Sequence, residues 1–312
     1  MNQKRPVTTL WLLGAFCLAG WLFVTRFGHR PIPQPVPSSI GADLLPEAAS
    51  STWIDVQPFL AGVPSFWQRP AEPVSAACPP SRFGRVLVIP HYLPLHDRID
   101  GFLAAWQRCS PARVRRVVIL SPGHQQRLKS GAAVLAADGY ATPLGRLPVD
   151  PALNRALAEA GAKPMADLFR SEHGAGVFPV FIQRAFPEAS FTPLVLSSRA
   201  TQAQLEPFVE TLATALVDET TLVIVSADFS HYLSKDEADR RDQETLQAFA
   251  NRQATFFWSA HDGHTDFGRG LWLAWRLVGP TATFALADRI NSAEFGGPRD
   301  RTTSFFFGGW QE

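Results

Sequence analysis

The sequence predicts an α/β domain with a central mostly parallel or mixed sheet covered by helices, preceded by an N-terminal membrane anchor. Three observations carry that expectation. Four short apolar runs without polar alternation, at 86–90 (VLVIP), 117–120 (VVIL), 191–196 (FTPLVL) and 222–226 (LVIVS), suit strands buried on both faces. Stretches with helical character lie between and after them, at 97–108, 151–160, 202–217, 235–251 and 268–278. Such alternation of strand and helix belongs to the α/β class. Finally, the chain opens with Lys4 and Arg5 and runs uncharged from Pro6 to Thr25.

The apolar heart of that opening, LWLLGAFCLAGWLFV at 10–24, reaches the lower limit for a span, about 17 residues, when Thr8 and Thr9 are included. Thr25-Arg26-Phe27-Gly28-His29-Arg30 offers no small residues for signal cleavage, and Phe16 before Cys17 argues against a lipoprotein signal. Residues 1–30 therefore read as an uncleaved signal anchor. The short basic start resembles a bacterial N-in anchor, which places the protein in the inner membrane as a single-pass chain with its main domain in the periplasm. Residues 31–82 read as a Pro-rich linker and packing arm. Pro31, Pro33, Pro35 and Pro37 favour a semi-rigid polyproline spacer, while Trp53, Phe59, Phe66 and Trp67 offer apolar surface to the domain. The α/β domain itself is expected over 83–312.

Within it, Asp150 before Pro151 marks a helix start, with a capping carboxylate and a proline at the first helical position. The C-terminal region returns to strand at 281–287 and 303–307. Cys78 and Cys109 flank the first strand and helix, and in an oxidising compartment they either pair or remain free thiols.

Composition narrows the function classes. The 29 Lys+Arg and 28 Asp+Glu leave a net charge of +1, too even for a nucleic-acid binder that relies on broad phosphate neutralisation. No GxGxxG or GxxxxGK[ST] follows a strand, and GxSxG is absent, which removes the nucleotide-fold and nucleophile-elbow readings. The three cysteines form no CxxC, so a structural zinc ribbon is not expected.

What remains is histidine and carboxylate. His91 follows VLVIP, His124 follows VVILSPG, and His231 lies in LVIVSADFSHY three residues after Asp228. Ligands in open α/β sheets bind outside the carboxyl ends of strands. Parallel strands would bring these turns to one edge, where three imidazoles and a carboxylate can converge on a transition metal or a substrate. Taken singly, each histidine is equally a solvated loop residue, and Asp228 equally a cap for a helix after Ser230.

The segments Pro90-His91, Ser121-Pro122-Gly123-His124, Thr142-Pro143-Leu144-Gly145 with Asp150, Glu172-His173-Gly174 with Gln183, and Ser226-Ala227-Asp228-Phe229-Ser230-His231-Tyr232 resemble, in order, motifs of the Memo-like family. That family includes AmmeMemoRadiSam system protein B and is akin to class III extradiol dioxygenases. The resemblance covers about residues 83–310. It implies metal ligands at His91, His124 and His231, with Asp228 and His231 as catalytic groups and Glu172, His173 and Tyr92 in the pocket. The family's late cysteine falls on Phe267, which cannot ligate a metal. Its glutamate beyond the third motif falls on Gly176, and its Ala-Gly-Tyr after the first histidine becomes Tyr92-Leu93-Pro94. Asp266 or His264 is then the substitute ligand for the lost thiolate, moving a copper-type site toward a two-His-one-carboxylate site that suits Fe(II). Otherwise the Phe267 ring fills the vacated space.

The expected cofactor is a transition metal ion, Fe or Cu. The expected activity is that of a metal-dependent oxidoreductase of dioxygenase type, acting on an unidentified small molecule. The alternative is a non-catalytic metal- or peptide-binding module that has lost part of the family site. Metal-assisted hydrolysis is a third reading, with no scissile bond indicated.

Overall fold

In the computed structural model, residues 53–69, 83–110, 113–124 and 128–311 are described. The expected anchor at 1–30, the proline spacer at 31–37 and Cys78 lie outside them. Among the described residues no helix is long and apolar enough to cross a membrane. Cys109 is disulfide-bonded.

Along the chain the strands are β1 (Trp53–Asp55), β2 (Val86–Ile89), β3 (Arg116–Pro122), β4 (Ala132–Leu135), β5 (Gly139–Thr142) and β6 (Gly145–Pro148). They continue with β7 (Lys163–Met165), β8 (Ser190–Leu196), β9 (Thr221–Ser226), β10 (Phe229–Leu233), β11 (Thr283–Asn291) and β12 (Thr302–Gln311). The helices are α1 (His96–Cys109), α2 (Pro151–Glu159), α3 (His173–Gly176) and α4 (Phe178–Ala185). After them come α5 (Gln202–Val217), α6 (Lys235–Ala250), α7 (Ala254–Ser259) and α8 (Gly268–Val278).

The four apolar runs are β2, β9, β3 and β8, adjacent in that order and all parallel. Antiparallel β12 adds to β2 and antiparallel β4 to β8, so the nine-stranded sheet is mixed. Successive residues of the central strands alternate between two cores. Leu87, Ile89, Val117, Ile119, Leu222 and Ile224 face α1 and α4 on one side. Val86, Val88, Val118, Leu120, Val223 and Val225 meet α5 and α8 on the other. Because both faces are covered, the strands carry no polar alternation.

Asp150 caps α2 as expected, accepting the N–H groups of Ala152 and Leu153, an arrangement worth about 1 kcal/mol. Asp228, by contrast, caps nothing. The chain after it continues as strand β10, and the following helix α6 is capped by Ser234, whose side chain accepts the Glu237 N–H.

Residues 53–69 belong to the same compact unit, Ser50–Glu312. Trp53, Ile54 and Asp55 of β1 pair in parallel with β5, which with β6 forms a separate three-stranded sheet. Ile54, Leu60 and Phe66 are buried in the first core. The Arg184 guanidinium, at 2.8–2.9 Å from both Asp100 carboxylate oxygens, also bonds the carbonyls of Phe66 and Arg69. That one buried cation joins the arm to α1 and α4.

Candidate metal centre

Parallel pairing of β2, β9 and β3 brings their C-terminal ends to one edge of the sheet. His91 stands two residues past β2, His124 two past β3, and Asp228 two past β9. Each of these turns is then tied down by side chains rather than left loose.

His91 is buried, and its Nδ1 lies 3.0 Å from Ser226 Oγ. The Ser226 hydroxyl spends its proton on the Gly174 carbonyl at 2.6 Å. It therefore accepts from His91, which carries a proton on Nδ1 and directs Nε2 into the centre. His124 reaches the same state by another route. Its Nδ1 lies 2.6 Å from Oε1 of Glu172, a carboxylate with no solvent exposure, and its backbone N–H donates to Oε2 at 2.9 Å. A ligating imidazole held through its second nitrogen in this manner is the usual support for a metal.

The third imidazole comes from α3. Glu172 caps that helix by accepting the Gly174 N–H, which sets His173 next in the chain over His124, with ring centroids 4.0 Å apart. Ligand atoms of His91, His124 and His173 lie within 4.8 Å of one another, a group able to hold a metal ion. Space here is tight. A Cβ on Gly174 would come within 2.6 Å of Ser121 Oγ and 3.2 Å of His124 Cε1.

Asp266 supplies the carboxylate. A lone bridge between Phe229 and Thr265 staples the loop before α8 against β10. Thr265 Oγ1 and the Asp266 N–H both donate to the Asp228 carbonyl, and Asp266 Oδ1 accepts the Asp228 N–H at 3.0 Å. Oδ2 is thereby set 3.2 Å from His91 Nε2 and 3.4 Å from His124 Nε2. It is buried, and the two imidazoles are its ion-pair partners among the described residues.

Electrostatics follow from this crowding. Burial alone would suppress charge on His91, yet Asp228 and Asp266 raise its pKa. Burial is likewise outweighed at His124, where Asp266 and Glu172 raise the imidazole to about 10. Desolvation, together with the charges on His124 and His91, lowers His173 to about 4, so it is neutral at pH 7. Burial would raise Asp266, but the neighbouring imidazoles hold it well below the usual carboxylate range. Asp228 moves the opposite way, pushed up by burial and by Asp266 beside it. Two carboxylates sharing one dry site separate in this way. A divalent ion displacing the protons of His91 and His124 leaves the net charge of the centre unchanged, so the residues fit a metal.

His231 is not in the three-imidazole group. β10 is irregular on both sides of it, and Tyr232 has φ 59°, a left-handed backbone unusual outside glycine. This kink turns His231 to the wall of a cavity of about 560 Å³ that also touches His124 and Asp266. Its Nδ1 is buried without a hydrogen-bond partner among the described residues. Asp228 holds His91 rather than His231, accepting the His91 backbone N–H at 3.2 Å. Between the two substitute ligands, Asp266 lies at the centre, whereas His264 is engaged by Glu244 at 2.9 Å. The Tyr92 ring stacks on Phe305 at 4.7 Å. Phe267 is buried, lines the cavity and fills space against Gly270. Gly176 lies under the Phe59 ring, and a Cβ there would meet the ring at 2.3 Å, so a larger residue would have to displace it.

The model of the Memo-like protein family matches residues 77–264. A MEMO1 family protein of Methanopyrus kandleri is 30% identical over 135 residues, 42% of this chain and 47% of that one. Another, from Thermus thermophilus, is 30% identical over 184 residues, 53% of each. The chain thus spans about half the length of the curated relatives it matches. Among solved structures, an uncharacterized protein of Escherichia coli K12 matches at 16% identity and a TM-score of 0.47, over 72% of this chain and 99% of that one.

Proposed function

Since this chain belongs to the Memo-like family, we propose that its His/Asp centre holds a divalent transition metal and performs dioxygenase-type oxidation of a small molecule. The observation that carries the reading is the buried Oδ2 of Asp266, set between the Nε2 atoms of His91 and His124. In the metal-free protein this oxygen holds the protons of the two imidazoles in place, and a cation ligated by all three groups takes over that charge balance. Two imidazoles and a carboxylate, without a thiolate, favour Fe(II) over copper. Bound there, the ion supplies the site at which dioxygen and an electron-rich substrate are brought together.

The remaining roles fall to side chains of this chain. Ser226 and Glu172 fix the tautomers of His91 and His124. His173, neutral at pH 7, is available as a further ligand. His231 faces the cavity with an unpartnered Nδ1 and accepts the substrate proton, and Asp228 holds the His91 backbone in register.

Metal analysis of the purified full chain tests this. Stoichiometric iron is expected, with His91→Ala and His124→Ala each losing affinity by more than the ~10–100-fold typical of an outer-shell change. A wild-type chain that takes up no transition metal sinks the proposal. Iron-loaded protein that consumes no dioxygen with catechol-type substrates supports the non-catalytic binding module instead.

We further propose that the domain sits outside the cytoplasm, held at the bacterial inner membrane by residues 1–30. The disulfide at Cys109 supports this, because such bonds persist in oxidising compartments. Protease added to spheroplasts should degrade the domain, and recovery in the cytosolic fraction counts against the placement.

A further inference from the structure

The cavity beside the metal centre carries a cation that the proposed chemistry leaves unused. Arg269, in the first turn of α8, lines it together with Trp258, Leu196, Phe267 and Tyr232. The guanidinium lies 3.7 Å from the centroid of the Trp258 ring, and Nη1 donates to the Trp258 carbonyl. That is its one hydrogen bond among the described residues. Its Nε is buried without an acceptor, and it forms no ion pair with any described carboxylate.

Partial burial of a guanidinium without an acid is expensive. Stacking on Trp258 offsets part of the cost, but Nη2 has no hydrogen-bond acceptor among the described residues. A guanidinium with free N–H groups on a cavity wall is a charged donor that a carboxylate engages. The acidic groups already on the wall, Asp262 and Asp266, make a monoanion a better match than a dianion. Leu196, Trp258 and Phe267 supply an apolar wall for a ring, and about 560 Å³ is within the range of small-ligand pockets.

We propose that this cavity binds small aromatic carboxylates, with Arg269 taking the carboxylate. As a statement about the substrate of the metal centre the inference rests on the proposed function. As a statement about binding it rests on Arg269 alone.

Calorimetric titration of the full chain tests it, with benzoate, its neutral analogue benzamide, and inorganic phosphate as probes. The protein is used both metal-loaded and chelator-treated. Benzoate is expected to bind saturably in both states, at least ~10-fold tighter than benzamide and tighter than phosphate, as loss of a charged hydrogen-bonded pair implies. Arg269→Gln should lose that preference, and Arg269→Lys should retain part of it. Equal affinity for benzamide, tighter binding of phosphate, an unchanged R269Q protein, or benzoate binding seen only with metal each overturns the proposal. Should R269Q fail to fold, the benzoate-to-benzamide ratio in the chelator-treated wild type decides alone. Benzoate binding by a protein that never takes up metal would leave this inference standing while removing the oxidoreductase reading.

Discussion

Glu172→Gln lowers metal affinity by ~10–100-fold, the effect expected of an outer-shell partner that sets a ligand's tautomer. Glu172 is fully buried and accepts three donors, namely the His124 ring N–H, the His124 backbone N–H and the Gly174 N–H. Glutamine has one acceptor oxygen and an amide NH2, so at least one donor faces another donor, at a cost of about 1–3 kcal/mol. With the amide nitrogen at the Oε1 place, His124 can accept from it only by carrying its proton on Nε2, and the Gly174 N–H is left unmatched as well. The Nε2 proton then points at the position where a metal must bind.

The pH dependence follows with a definite sign. In the metal-free protein the His124 pKa is raised to about 10, with burial opposing and Asp266 and Glu172 prevailing. Its stabilising contribution is complete below the ordinary imidazole value, about 6.5, and is lost as pH rises through about 10. Metal must displace this proton, so wild-type affinity climbs with pH over the same interval. In Glu172→Gln one of the two supporting carboxylates is gone, and the climb ends at lower pH. Competition with a chromophoric chelator between pH 6 and about 10 reads both effects. Equal affinity in the two proteins would show that Glu172 does not position His124.

Gly270→Ala is expected to lower stability although alanine is the better helix former. Glycine to alanine inside a helix ordinarily gains about 1 kcal/mol. Here the added Cβ would lie 1.9–2.4 Å from three carbons of the Phe267 ring, which is itself buried in the second core. Overpacking of this kind costs about 1–3 kcal/mol, and contacts this close belong at its upper end, which leaves a net loss of about 2 kcal/mol. It also displaces the residue that follows Asp266. Urea denaturation should show the loss, and Phe267→Leu in the same chain should restore part of it by vacating the ring edge. An alanine variant as stable as the parent would mean that Phe267 repacks freely.

Much of the α/β frame was open to reading because it rests on local pattern. An uninterrupted apolar run can satisfy only a strand covered on both faces, and β2, β3, β8 and β9 are such strands. Gln202–Val217 and Gly268–Val278 keep the expected ends because Thr201 forms a capping box with Gln204, and Gly279 with φ 81° follows α8. The short strands β6 (GRLP) and β7 (KPM) lack any such run and owe their pairing to neighbours. Phe229–Leu233 is too interrupted by Ser230 and His231 to read as a strand, and it exists because β12 pairs with it.

The centre divides along the same line. Histidines at the ends of parallel strands are a consequence of local sequence plus topology, so His91 and His124 could be paired from the chain alone. The choice of partners was not local. His173 arrives from α3, about fifty residues beyond His124, because Glu172 reaches back to hold the His124 ring. Asp266 arrives because a single bridge sets Thr265 against Phe229. The amino-acid sequence by itself determined which segments are buried and on which edge of the sheet imidazoles gather, since burial and strand direction follow from hydrophobic pattern. Only the tertiary structure decided which imidazole and which carboxylate complete the group, since those contacts depend on where distant loops come to rest.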